Sequence, residues 1–223
     1  MFLPIPGILK AEELRTIRDR VVKETYIDGA ATAGRQARRV KQNQQLARDN
    51  KTAKEMGKIV LDALRRHAGF NAATLPFRIT EPMFNHYSGG MNYGPHVDNA
   101  VMYQPQPLRS DISMTLFLSE PRDYEGGELM IEDGALRQKV KLAAGSALIY
   151  PATSLHNVEP VTKGDRYACI VWIQSLVRDP GQRRILFDMD RATQALLKRD
   201  PDAPEARIFT ASYHNLVRMW AEA

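Results

Sequence analysis

Between residues 76 and 177 the chain breaks into short apolar runs: Phe77–Tyr87, Ser110–Leu118, Glu128–Glu132, Ala147–Tyr150, His156–Val161 and Tyr167–Leu176. Gly89-Gly90, Gly126-Gly127, Asp133-Gly134 and Lys163-Gly164-Asp165 punctuate them. Glycine and aspartate at these points are turn formers, and runs this short have the length of strands. Several such runs in succession confine this stretch to a β sandwich or barrel. Helical periodicity lies on either side. Leu14, Ile17, Val21 and Val22 recur at helical spacing in Ala11–Glu24, and Met56, Ile59, Val60, Leu61 and Leu64 do so in Asn50–His67. The second of these helices is expected to stop at Ala68-Gly69, a glycine terminus. The small-residue stretch Asp28–Gly34 reads as a loop or an irregular strand. Past the β region, Ile185, Leu186, Met189, Ala192, Leu196 and Leu197 form one apolar stripe, and Ile208, Ala211, Leu216, Val217 and Trp220 a second. Asp200-Pro201-Asp202-Ala203-Pro204 separates them. The expected architecture is mainly β with flanking helices. Residues 1–75 are an N-terminal helical or mixed support, 76–177 the β core and 178–223 a C-terminal helical extension. The C-terminal stripes are expected to pack on the β core, with a homodimer through the helical extensions as the alternative.

A length of 223 residues suits one domain with a sizeable core, and 43% hydrophobic with 26% charged residues is ordinary for a globular protein. No apolar run approaches the roughly 18 residues that span a bilayer. Met1–Gly7 is a short apolar stretch without the basic n-region or the long h-region of a secretory signal, so a cytoplasmic location with no membrane partner is expected. The one cysteine, Cys169, excludes an intrachain disulfide; in Ala168–Trp172 it reads as a buried thiol. The net charge of +5 is partly local, with Arg35, Arg38, Arg39 and Lys41 close together. No aromatic is interleaved for base stacking, so these are expected to form a solvated polar segment, and nucleic acid is not the expected partner.

The chemistry lies in His96-Val97-Asp98, followed by His156 and then by Arg166. On a strand, residues two apart share a face, so His96 and Asp98 can converge on one ion. Pro95 and Asn99 place the pair near a strand end. His156 opens another apparent strand. Two imidazoles and one carboxylate leave coordination positions open, as mononuclear non-haem Fe(II) enzymes require. Zinc hydrolases use the same ligand types, so the donor set alone does not choose the metal. Arg166 favours iron chemistry, because a guanidinium offers a bidentate fork to an acidic cosubstrate that a hydrolase does not need. Alternatives are a metal-binding cupin-like module without catalysis and a nucleic-acid-directed oxidative demethylase. His86 shares a strand face with Phe84 and reads as packed or hydrogen-bonded. His67 ends a helix, and His214 lies in the C-terminal helix. Gly126-Gly127 suits a tight turn or a close backbone approach. Met102-Tyr103-Gln104-Pro105 reads as a lid over the site or as an ordinary surface loop.

The run Phe84–Asn99, with Gly126-Gly127-Glu128-Leu129, His156 and Arg166, resembles the Fe(II)- and 2-oxoglutarate-dependent dioxygenases, and within them the bacterial PKHD-type hydroxylases. Asp28-Gly29, Thr32-Ala33-Gly34, Val40-Lys41, Asn43-Gln44-Gln45-Leu46 and the C-terminal helical extension carry the same resemblance. It implies a double-stranded β-helix (jelly roll) core. It implies iron on His96, Asp98 and His156, and 2-oxoglutarate held by Arg166 with Tyr87 in contact. L-ascorbate is implied as the reductant, and a small-molecule or peptide substrate as the target of hydroxylation, in some members in connection with iron uptake.

Overall fold

In a computed structural model the described residues are 1–32, 37–103, 106–134 and 136–222. Two sheets face each other. In the larger, neighbouring strands run Leu3–Ile5, Ala147–Pro151, Ile112–Phe117, Arg166–Ser175, Met83–Tyr87, Gln44–Gln45 and Ile27–Asp28, with Pro76–Ile79 also pairing with Arg166–Ser175. The smaller runs Leu136–Val140, Leu129–Asp133, His156–Val158, Asn92–His96 and Lys41–Gln42. Every pairing is antiparallel. This is the mainly β architecture with flanking helices that the sequence predicts, and its two sheets form the jelly-roll core.

Side-chain alternation divides the interior in two. Along Arg166–Ser175, Cys169, Val171 and Ile173 face the helices, where they pack with Met114, Leu116, Ile149 and Phe84. Arg166 lies on the opposite face from Cys169 and looks toward the other sheet, beside Tyr87 of the paired strand (Arg166↔Tyr87). Phe117, Tyr124, Leu129, Ile131, Leu148, Tyr150 and Val158 fill that inter-sheet core. Because both faces of the larger sheet are covered, its central strands read as continuous apolar runs, not alternating ones. The first core is closed by Ile17 and Val21 of the helix Ala11–Val21 and by Met56, Val60, Ala63 and Leu64 of Lys51–Arg66. Asn50 caps the latter helix, its side chain accepting from Ala53 N at 2.8 Å.

Several boundaries differ from expectation. Lys51–Arg66 does not end on glycine. His67 turns extended, and its Nδ1 accepts from Phe70 N at 3.1 Å, opening a new helix, Ala68–Thr74. Gly69 sits inside that helix, and the left-handed terminus falls on Leu75 (φ 43°). Phe77–Tyr87 is two strands, because Pro82 cannot donate to a ladder. His156–Val161 likewise divides into His156–Val158 and Val161–Gly164. The N-terminal stretch also supplies strands: Lys41–Gln42 joins one sheet and Gln44–Gln45 the other, so five residues pass between the two layers. Of the small-residue stretch, Gly29–Thr32 forms a short 3-10 turn and residues 33–34 lie outside the described set.

The C-terminal helices are Pro180–Arg199 and Pro204–Trp220. Asp179 caps the first, accepting from Gln182 N at 2.8 Å, and Leu186 and Phe187 bury against the body. The second stripe does not pack on the β core as expected. Leu216, Val217 and Trp220 are half-buried, while Ile208 is 66% exposed. The end of this helix is pinned by Arg109 Nη1 to Glu222 at 3.2 Å and by Glu222 N to Leu176 O at 2.7 Å. No helix among the described residues is long and apolar enough to cross a membrane.

Candidate metal centre

His96 and His156 are register partners on adjacent strands, which brings the two distant imidazoles together. Their ring centroids are 4.2 Å apart. A bulge on Asn92–His96 sets the aim: His156 pairs with His96 but Val158 pairs with Tyr93, so Gly94 and Pro95 supply one residue too many. The extra residue puts Tyr93 and His96 on one side, where their rings stack at 3.6 Å. Asp98 is not on the strand, as spacing alone suggested; the strand ends at His96, and the carboxylate returns from the following loop. Its Oδ1 lies 3.9 Å from His96 Nε2 and its Oδ2 3.8 Å from His156 Nε2.

The donor chemistry fits a divalent metal ion. One ligand atom from each of the three residues lies within 4.8 Å of the others. Both imidazoles are oriented alike: His96 Nδ1 donates to Gly94 O at 2.8 Å and His156 Nδ1 to Ser154 O at 3.0 Å. This leaves the two Nε2 lone pairs turned to Asp98. Burial, then the neighbouring His156, pushes the His96 pKa down to about 4, so its ring is neutral and able to ligate at pH 7. Ser113 Oγ donates to Asp98 Oδ2 at 2.5 Å and fixes the carboxylate. Tyr150 packs its ring edge-on against His156. Neither Ser113 nor Tyr150 carried a sequence signal. They emerge from the alternation of Ile112–Phe117 and Ala147–Pro151, which turns them inward.

Arg166 is 1% exposed, and its Nε and Nη2 have no hydrogen-bond partner. No carboxylate among the described residues lies within ion-pair distance of it. Its guanidinium rests 5.1 Å from the Tyr87 ring centroid and 5.6 Å from that of Phe117. Tyr124, missed in the sequence, adds a buried hydroxyl beside the guanidinium. Gly127 makes room for this group: its φ is +65°, and a Cβ there would meet Arg166 Cδ at 3.0 Å and Val161 Cγ2 at 2.7 Å. That is the close approach expected of the glycine pair. A desolvated cation with unmet donors is costly unless an anion joins it, so this cradle fits the carboxylate of an acidic cosubstrate.

The other histidines stand apart. His86 is held by Gln44 Oε1 at 3.1 Å and Asp165 Oδ1 at 2.6 Å and stacks on Tyr167, as its strand face predicted. The basic cluster does not behave as one solvated segment. Arg38 and Arg39 are exposed, but Lys41 is 6% exposed, and Arg35 lies outside the described residues. After Asp98 the chain forms a small hairpin, Val101–Met102 against Leu108–Arg109, with Tyr103 exposed at its tip; Gln104 and Pro105 of the expected lid lie outside the described residues.

Two opposed sheets with a His–Asp–His cluster and a buried arginine between them define a class, and the comparisons agree. The profile of the 2OG-Fe(II) oxygenase superfamily matches residues 82–174. That of the PKHD-type hydroxylase C-terminal domain matches residues 180–222. A PKHD-type hydroxylase from Paraburkholderia phytofirmans is 49% identical over 226 residues, covering all of both chains. The chain belongs to the PKHD-type hydroxylase family, and it is an oxygenase of the 2-oxoglutarate- and iron(II)-dependent kind. The fold is shared with a prolyl-4-hydroxylase of Pseudomonas putida (TM-score 0.52, 18% identity, 78% of this chain and 92% of that one). It is also shared with a Trichoplax adhaerens prolyl hydroxylase solved with a hypoxia inducible factor oxygen degradation domain peptide fragment (TM-score 0.55, 17% identity, 83% and 86% covered).

Proposed function

We propose that this chain hydroxylates a small molecule or peptide, holding Fe(II) on His96, Asp98 and His156 and the far carboxylate of 2-oxoglutarate on Arg166. The observation that carries this reading is the pairing, in one inter-sheet space, of a three-ligand cluster with a desolvated guanidinium that lacks an anion. Iron bound there supplies O2-dependent oxidative decarboxylation of 2-oxoglutarate coupled to hydroxylation, giving succinate and CO2. The residues supply geometry. Gly94 O and Ser154 O hold both imidazoles in the ligating tautomer, and Ser113 keeps Asp98 aimed between them. Tyr87 and Phe117 wall the guanidinium away from water, so its pair with a carboxylate acts in low dielectric. Tyr87 is assigned to the cosubstrate pocket on its 5.1 Å approach to Arg166. Reduction of the iron by L-ascorbate and a connection with iron uptake are carried by the family resemblance. A non-catalytic metal-binding module has no use for the unpaired Arg166.

Anaerobic Fe(II) titration and succinate formation test the assignment. Asp98→Ala is expected to lose iron affinity and turnover together. Arg166→Ala is expected to raise the 2-oxoglutarate requirement steeply, by roughly 2–5 kcal/mol for a desolvated pair. Full turnover by the first variant, or an unchanged requirement in the second, overturns the corresponding role.

A further inference from the structure

Lys41 is a second desolvated cation, which the cosubstrate reading does not use. Its strand pairs with Asn92–His96, register partner Tyr93, so its side chain enters the layer that carries His96. The ammonium sits 5.4 Å from the centroid of the Tyr93 ring, the ring that stacks on His96. It donates one hydrogen bond, to Gln45 Oε1 at 3.1 Å. No carboxylate among the described residues lies within ion-pair distance. Asp28 and Asp98 act on it only from farther away, and Arg48 opposes them. Asn43, two residues on and 3% exposed, makes no well-formed hydrogen bond with either atom of its amide, whose nearest hydroxyl is that of Tyr87. Lys41, Asn43 and Gln45 alternate with less buried neighbours along one short segment, so an ammonium and an amide face the same interior.

Charge balance says what is missing. With a doubly positive metal ion, the Asp98 carboxylate, the Arg166 guanidinium and a doubly negative 2-oxoglutarate, the centre is neutral. Lys41 is then left over as one buried positive charge. Burying it alone is unfavourable by several kcal/mol, and an anion of one charge removes that penalty.

We infer that Lys41, with Asn43 beside it, is a specificity-determining subsite that receives a carboxylate of the substrate to be hydroxylated. This rests on the reading of the preceding subsection. It narrows the substrate class to acids: a free amino acid, a peptide presenting its C-terminus, or another carboxylated small molecule. The acid end anchors near Tyr93 and leaves the rest of the substrate to reach the metal. Neutral analogues of the same shape leave the ammonium unpaired and are rejected, since a charged hydrogen bond is at stake on both sides.

The test uses the full chain loaded anaerobically with Fe(II). 2-Oxoglutarate is titrated first, then a panel of acids and their primary amides: N-acetyl-L-proline, N-acetyl-L-lysine and N-acetylglycine, with free L-proline. Calorimetry reads binding. At least one acid is expected to bind about tenfold or more tighter than its amide, and Lys41→Met to abolish that preference while 2-oxoglutarate affinity stays within about twofold. Free proline against its N-acetyl form separates an amino acid from a peptide end. Gln45→Glu supplies an internal carboxylate to the ammonium and is expected to remove acid binding while the lysine stays in place, which tests the subsite by a second route. If no acid is preferred over its amide, or the preference survives both variants, the subsite is refuted. A large loss of 2-oxoglutarate affinity in Lys41→Met also refutes it, by assigning the ammonium to the cosubstrate. Failure of 2-oxoglutarate to bind the unaltered protein refutes the preceding reading instead.

Discussion

Lys41 and Arg166 are cations taken out of water with no carboxylate beside them, and for Lys41 this has a thermodynamic signature. Burial pushes the Lys41 pKa down to about 8 from 10.5. Between those values the unfolded chain holds a proton that the folded chain has released. Stability therefore rises with pH across that window, and the full penalty is present below pH 8. Lys41→Met should stabilise the metal-free protein at pH 7 by on the order of 2–3 kcal/mol, with the gain shrinking towards zero near pH 10.5. Urea unfolding at pH 7 and pH 10 measures this; a less stable variant at pH 7 contradicts it. Ser113 acts oppositely. Its hydroxyl orients Asp98 at 2.5 Å, so Ser113→Ala should weaken Fe(II) binding about 10- to 100-fold with little change in the unfolding midpoint of the metal-free chain. An unchanged iron titration shows that Asp98 needs no such support.

Among the elements, the bulged strand Asn92–His96 decides the centre. Gly94 N donates to Val40 O at 2.8 Å, and a Cβ at Gly94 would meet Val40 Cβ at 2.8 Å. Gly94→Ala should push the Lys41–Gln42 strand outward and turn His96, lowering both iron affinity and stability. Normal metal binding in that variant shows that the strand absorbs the extra carbon elsewhere. This strand also marks where reading the sequence succeeds and stops. The long central strands were legible because they are apolar on both faces. The convergence of His96 and His156, the inward placement of Arg166 and the close approach at the glycine pair are legible because ligand chemistry and close approach restrict residue type. Asp98 is legible as a ligand type, but its spacing from His96 predicts a strand position, because two-residue spacing carries no sign of where the strand ends. The strands Lys41–Gln42 and Gln44–Gln45 gave no signal, being polar and two residues long. Lys41 looked like one of four solvated cations, since burial of a polar segment is decided by the tertiary partners it meets. Ser113 and Tyr150 needed the register of three strands to become visible.

At the level of the whole molecule, the two C-terminal helices are joined to the body unequally. Pro180–Arg199 buries Leu186 and Phe187, and Phe187 belongs to the helix-covered core. Pro204–Trp220 fully buries only Ala206 and is tied at its end by Arg109 and Glu222. A chain ending at Asp200 should therefore keep its fold and bind Fe(II), with a melting temperature lowered by a few degrees, about what the loss of 1 kcal/mol produces. A chain ending at Val177 should expose the core and aggregate. Circular dichroism melts and iron titration of the two truncations check this. If the first collapses as the second does, the outer helix is integral to the core.

The pairing of Leu3–Ile5 with Ala147–Pro151 has a consequence for biosynthesis. The earliest strand to leave the ribosome must wait for a partner made near the end of the β region, and Arg166–Ser175, the axis of the larger sheet, comes later still. Closing such loops is slow, and strand edges stay open meanwhile. Nascent chains halted before about residue 175 should be protease-sensitive throughout, with resistance arriving in one step once that axial strand is released.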